Sequence, residues 1–205
     1  MTRVVLYMEG GGQQAETKAR LRQGIGQFLG NGLQRRNIHF RPKIVVCGSV
    51  QNTFKQFNAA ILRNDEATCA VLVDADGPVS PAHTPARHLS ETRGWQTLDL
   101  ATDEQIHLMV QTMEAWIIAD RDLLVSFYGR HLDEKHLTNR QNVEDVPKAE
   151  LEQGLKDATR RTQKGAYHKI NHASQLLQRL NSDIVAVRAP HFKSLLEFLV
   201  RFLRS

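Results

Sequence analysis

The sequence predicts an α/β fold, a parallel sheet of about four strands flanked by helices and followed by a helical C-terminal part. Three observations predict it. Short runs rich in β-branched, aromatic and aliphatic residues recur at 3–8 (RVVLYM), 43–47 (KIVVC), 68–73 (TCAVLV) and 105–111 (QIHLMVQ). Segments with apolar residues at helical spacing separate the first three runs. Glycine or acidic residues stand at the ends of those runs, as expected where βα loops gather on one rim of a parallel sheet.

Taken in order, 3–8 reads as a buried strand and Gly10, Gly11 and Gly12 then break the chain. Leu21, Ile25, Phe28 and Leu29 follow at i, i+4, i+7 and i+8, one apolar face of a helix. The second strand, 43–47, is closed by Gly48. Val50, Phe54, Phe57 and Ile61 mark the next helix, and 68–73 is the clearest strand, running directly into Asp74-Ala75-Asp76-Gly77-Pro78. Strand alternating with helix implies βαβ units with right-handed crossovers. A loop containing Pro and His leads to a short amphipathic stretch around His88 and Leu89. The fourth strand, 105–111, turns into a helix over 112–120. Asp120 is placed to cap a further helix carrying Leu123, Leu124, Phe127 and Tyr128 before Gly129. Residues 130–146 are polar and irregular. Pro147 suits the first position of a helix reaching about Thr159, and helices are expected near 171–180 and at 190–204. The expected division is a catalytic core at 1–128, a linker or exposed loop at 129–146, and a helical cap at 147–205.

With 205 residues the chain can bury a full core, and its 41% hydrophobic and 24% charged residues are ordinary for a globular protein. No stretch approaches the roughly 18–20 apolar residues of a membrane span. The N-terminal run has no small-residue cleavage site and reads as a strand rather than a signal peptide. Cys47 and Cys69, each in an apolar strand-like segment, read as free thiols in a reducing cytoplasm. The net charge of +5 and pI near 9.4 suggest a polyanionic partner. The basic residues cluster at 18–43 and again at 156–169.

Glu9 ends the first strand, and Asp74 and Asp76 end the third. On a parallel sheet all three point to the rim where ligands bind. Three carboxylates packed together repel unless a cation neutralises them. Oxygen donors without a Cys or His pair suit Mg²⁺ or Mn²⁺ better than Zn²⁺. A lone D-x-D after a strand is common and carries little weight. Two βα units in order, one ending in Glu-Gly and the next in Asp-x-Asp, are far more specific. The glycine run fits neither dinucleotide nor P-loop spacing. A tight turn that lets a substrate approach Glu9 accounts for it better.

At these residues the chain resembles the Toprim fold, the catalytic domain of topoisomerases, bacterial primases and the nucleases named for overcoming a lysogeny defect. The Toprim Glu-Gly and D-x-D are matched by Glu9-Gly10 and Asp74-x-Asp76. A closer similarity covers about residues 4–175 and is carried by VLYMEGGG, AVLVDADGP, HLMVQTMEAWIIAD and the run Tyr167-His168-Lys169-Ile170-Asn171-His172. These resemble a bacterial family catalogued as a domain of unknown function, whose members look like stand-alone Toprim proteins often accompanied by an ATPase. The resemblance implies a Rossmann-like sheet and an Mg²⁺- or Mn²⁺-dependent phosphodiesterase acting on DNA or RNA. It also implies an anti-phage or mobile-element setting, an ATPase partner and pairing of two copies. The sequence departs from topoisomerases and primases in showing no sign of their additional modules. The third acidic position of a D-x-D-x-D is Pro78.

Beyond the triad, Glu114 follows the fourth strand and is a candidate supplementary metal ligand, or else a carboxylate facing a helix N-terminus. Lys169 is a candidate to offset charge on a scissile phosphate, and His172 to donate to it or shuttle a proton. Gly10, Gly11, Gly12 and Tyr167 are candidate substrate contacts. Trp116, Ile117 and Ile118 read as core. The leading expectation is a Toprim-type nuclease. Its rivals are a partner-dependent regulatory or nucleic-acid-binding module with little activity alone, and a phosphatase using the same metal site.

Overall fold

The computed structural model describes residues 4–63, 67–96 and 101–204. The expected α/β architecture is present. Four strands, β1 (Val4–Glu9), β2 (Lys43–Gly48), β3 (Thr68–Asp74) and β4 (Ile106–Met109), form one sheet in the order β2-β1-β3-β4. All three pairings are parallel. Residue 3, expected to open the first strand, lies outside the described residues. The fourth strand is shorter than the 105–111 expected from its composition: 103–105 close into a single 3₁₀ turn ahead of it, and 110–111 bend away after Met109.

Two apolar layers cover the sheet, one per face, as strand periodicity requires. Tyr7, Val71 and Val73 face α2 (Val50–Arg63) and α3 (Pro85–Arg93), where Phe57 and Leu89 are buried. Leu6, Met8, Ala70 and Leu72 face α1 (Ala15–Gln34) and the C-terminal helices. Of the residues expected to mark α1, Ile25, Phe28 and Leu29 are fully buried and Leu21 packs at the edge.

The C-terminal part comprises α4 (Met113–Ala119), α5 (Arg121–Tyr128), α6 (Lys148–Thr159), α7 (Lys169–Leu177), α8 (Ser182–Arg188) and α9 (Pro190–Arg204). Helix α8 had no signal strong enough to be read from sequence. Pro147 precedes α6 rather than opening it. Asp120 caps α5 as expected, its Oδ1 accepting from the Leu123 N–H at 3.1 Å, and its Oδ2 also accepts from the Asn181 N–H at 2.9 Å. Phe28 of α1 stacks on Phe192 of α9 at 4.8 Å, and Trp116 of α4 meets Phe192 at 5.0 Å. These helices therefore share one core with the sheet. The polar stretch 130–146 contributes to that core too. It holds two single 3₁₀ turns and buries Leu137, Val143 and Val146. Leu137, Val143 and Val146, six and three residues apart among charges, do not repeat at a helical or strand period, so sequence alone reads the segment as exposed.

Cys47 and Cys69 are buried free thiols. Among the described residues no helix is long and apolar enough to cross a membrane.

His107 of β4 is buried against the Phe198 ring, 4.9 Å away, and its Nε2 has no hydrogen-bond partner. Burial first, and the His191 charge second, push its pKa down from 6.5 to about 4. The unfolded chain therefore takes up this proton before the folded one does, and stability is lost as pH falls from 6.5 towards 4. The loss attributable to this group is on the order of 3 kcal/mol. Urea denaturation of wild type and His107→Leu across pH 7 to 4 should show the variant losing less stability by about that amount, with the difference flat above pH 7.

Candidate active site

Strands β1 and β3 are neighbours in parallel register, Met8 opposite Leu72, so Glu9 and Asp74 emerge side by side at their carboxyl ends. Both line a cleft of about 840 Å³ together with the Gly10–Gly12 loop, Tyr167, Lys169 and the first turn of α1. The glycine loop is shaped by close approach. Gly11 has φ +74, and a Cβ there would stand 2.9 Å from the Cα of Lys18. The Gly10 N–H donates to the Gly48 carbonyl at 2.9 Å, which ties the loop to β2. Only glycine combines that left-handed backbone with that proximity.

The protein supplies neither carboxylate with a full set of donors. Glu9 Oε2 and Asp74 Oδ1 are shut from solvent and have no hydrogen-bond partner. Burial raises the pKa of Glu9, with the Arg93 charge partly opposing. Burial pushes Asp74 up to about 7, the Lys169 charge opposing and the Glu9 and Glu114 charges adding to the rise. Oxygens without a hydrogen-bond partner on adjacent half-buried carboxylates fit a hard divalent cation, which is commonly held by one or two carboxylates with water and substrate oxygens completing its shell.

Asp76 is differently placed. It has φ +57, a left-handed conformation that Asp tolerates better than most residues, and its exposed side chain turns away from the cleft. Lys148, the first residue of α6, bonds its Oδ1 at 2.5 Å, and Arg93, the last residue of α3, holds its Oδ2. Arg93 also donates to the Asp74 carbonyl at 2.9 Å and lies 3.8 Å from Glu9 Oε2. Accordingly, no group of three or more His, Cys, Asp or Glu stands ready to hold a metal among the described residues. The structure brings Glu9 and Asp74 together and commits Asp76 to two cations.

Glu114 lies in the first turn of α4 and is fully buried. Tyr167 donates to its Oε1 at 3.0 Å, and Thr112 and Lys169 donate to Oε2 at 2.7 and 3.2 Å. Burial alone would raise its pKa, but Lys169 and these hydrogen bonds hold it below the usual carboxylate range. For Lys169 burial works against the charge, and the Glu114 and Asp74 carboxylates more than compensate. Glu114 is thus an ionised anchor that aims the Lys169 ammonium into the cleft. Tyr167, expected as a substrate contact, spends its hydroxyl on Glu114, and its pKa is raised by burial and that neighbouring charge. His172 faces the other way. Its Nδ1 lies 3.0 Å from the Tyr128 hydroxyl and accepts from the His168 N–H at 3.3 Å. It does not line the cleft.

Arg93 and Lys148 were not distinguishable by sequence pattern. Each is one basic residue among 27, and only the closing of α3 and the docking of α6 bring them to the rim. The first is fixed by Gly94, which ends α3 at φ +64. The second is fixed by the Lys148 N–H, which donates to Gln111 Oε1 at 3.1 Å.

Comparison with protein families matches residues 8–200 to a family described as "Domain of unknown function (DUF4276)". No curated protein and no solved structure matches the chain.

The two classes of carboxylate separate in a thermal melt. Mg²⁺ at about 100 times its Kd should stabilise the wild type by about 2.7 kcal/mol, a rise of roughly 5–10 °C for a chain of this size. Asp74→Asn, which removes a carboxylate whose charge burial disfavours, should melt higher than wild type in EDTA and gain nothing from Mg²⁺. Glu114→Gln, which keeps a hydrogen-bonding group against Tyr167, should retain the Mg²⁺ response. A lost response in Glu114→Gln with a retained one in Asp74→Asn would reverse the assignment.

Proposed function

The chain belongs to the DUF4276 family, and we propose that it is a metal-dependent, Toprim-type nuclease that hydrolyses phosphodiesters of DNA or RNA. The observation that carries this reading is the pair of unpartnered carboxylate oxygens of Glu9 and Asp74, on adjacent parallel strand ends beside an aimed lysine. The Toprim relationship itself is part of the proposal. It draws on Glu9-Gly10, on Asp74-x-Asp76 and on the all-parallel sheet, whose β1 and β3 are neighbours.

In this reading Glu9 and Asp74 hold Mg²⁺ or Mn²⁺, with Asp76 in reserve. The ion supplies Lewis acidity and a bound water of lowered pKa. Lys169 presents its ammonium to the phosphoryl oxygens where charge develops, and Glu114, Thr112 and Tyr167 keep it there. Gly10, Gly11 and Gly12 leave room for a polynucleotide backbone to pass close to Glu9. Arg20 and Lys156 at the cleft edge are placed to meet its phosphates without reading bases. His172, turned towards Tyr128, takes no part.

A second reading has a specific observation in its favour. With Asp76 held by Arg93 and Lys148, the acidic site of the isolated chain is incomplete. A regulatory module that becomes active only with a partner, such as an ATPase in an anti-phage or mobile-element system, would have this property. Pairing of two copies belongs to the same proposal.

Purified protein incubated with plasmid, single-stranded DNA and tRNA in Mg²⁺ or Mn²⁺ should cut at least one of them. Asp74→Asn should lower the rate about 100-fold or more, and Lys169→Ala about 10- to 100-fold. His172→Ala should stay within a few-fold of wild type. Cleavage undiminished in Asp74→Asn would end the nuclease reading, and cleavage appearing only with an added ATPase would select the partnered one.

A further inference from the structure

We propose that Arg93 and Lys148 form a phosphate-binding clamp for the nucleic-acid backbone, and that Asp76 occupies this clamp as a removable stand-in for the phosphate. The inference deepens the nuclease reading and rests on it for the identity of the ligand.

Two cations from separate helices converge on one exposed carboxylate. Lys148 meets Oδ1 and Arg93 meets Oδ2, so the two oxygens of Asp76 sit where two phosphoryl oxygens would sit. The Arg93 guanidinium and the main chain that carries Lys148 are both anchored independently of Asp76. Arg93 is held by the Asp74 carbonyl at 2.9 Å, and its side chain is only 15% exposed. Lys148 is held at its backbone by Gln111 at 3.1 Å. Withdrawing Asp76 would therefore leave the Arg93 donor in place and the Lys148 ammonium tethered beside it on the fixed first residue of α6. Arg in particular presents a planar fork suited to two oxygens of a phosphate.

The location also fits a backbone phosphate. Arg93 lies between Glu9 and Asp76, at the boundary of the main cleft and a second one of about 780 Å³ beside Gly77, Pro78 and Phe54. A strand crossing from one cleft to the other would place one phosphate at Glu9 and Asp74 and a neighbouring one at the clamp. Asp76 can leave without loss of local structure. Its backbone N–H is bonded to the Gln111 carbonyl at 3.0 Å, so the side chain can turn while the main chain stays. A carboxylate that moves from the cations to the metal would open the clamp and complete the acidic site in one motion.

The test needs no metal and no turnover. In EDTA, affinity for inorganic phosphate and for a nucleoside 5′-monophosphate is measured by calorimetry on wild type, Asp76→Asn and Asp76→Gly. Both replacements suit φ +57, and melting curves verify that each is folded. Removing the competing carboxylate should tighten binding of both probes about tenfold or more, and adding Arg93→Gln or Lys148→Gln should abolish the gain. Unchanged affinity in both folded Asp76 variants, or a gain that survives loss of either cation, would overturn the clamp. Failure here would leave Mg²⁺ binding by Glu9 and Asp74 intact, whereas failure of the nuclease reading would appear as an absent Mg²⁺ response in wild type.

Discussion

The arrangement of this protein turns on the cost of holding two half-buried carboxylates side by side at a sheet rim. Glu9 and Asp74 are placed by strand ends that the core cannot do without, since Leu6, Met8, Ala70 and Leu72 fill the layer beneath them. A parallel sheet delivers its strand termini to one edge whatever residues those termini carry. The acidic side chains are therefore brought together by hydrophobic packing, against their own electrostatics. The raised pKa of Glu9 and the shift of Asp74 to about 7 express that opposition.

Around this pair the fold sorts its other charges by what they can neutralise. Glu114, more deeply buried than either, is made tolerable by three donors and has its ionised form stabilised. Asp76, on the exposed side, is met by Arg93 and Lys148. Glu9 and Asp74 each keep an oxygen with no hydrogen-bond donor from the protein. Polar groups left unmatched in a protein interior are uncommon enough to call for an explanation, and a function that supplies the missing partner is one. The same reasoning separates Glu114 from the metal-ligand role its position suggests. A carboxylate whose oxygens are both committed has little left to offer a cation.

How much of this was legible in the sequence follows from which forces are local. The strands, the helices α1, α2 and α9 and the position of the acidic rim could be read because apolar periodicity and the parallel-sheet rule act over short stretches. Asp120 as a cap was readable for the same reason. Helix α8 and the buried 130–146 segment were not, since Leu137, Val143 and Val146 earn their burial from contacts with distant helices. The orientation of Asp76 was hidden as well. A D-x-D motif fixes where two carboxylates start, but the backbone at φ +57 and two cations from residues 93 and 148 decide where the second one points. His172 shared a motif with Lys169 and stands only about 60° from it around α7, but the Tyr128 hydroxyl holds its Nδ1 outside the cleft, a contact with a residue 44 positions away that no local pattern encodes.

The cations that answer the acidic rim explain why the C-terminal helices cannot be an accessory. Lys148 opens α6 and Lys169 opens α7, while Glu114, which aims Lys169, belongs to α4. These helices are held in place by the layer that contains Phe28, Trp116 and Phe192, and that layer also packs on the sheet. One apolar core thus sets the positions of the carboxylates and of the two lysines. A displacement of α6 or α7 would simultaneously expose apolar surface and strip countercharge from buried acids, and both effects oppose it. The geometry of the site is accordingly set by the packing beneath it.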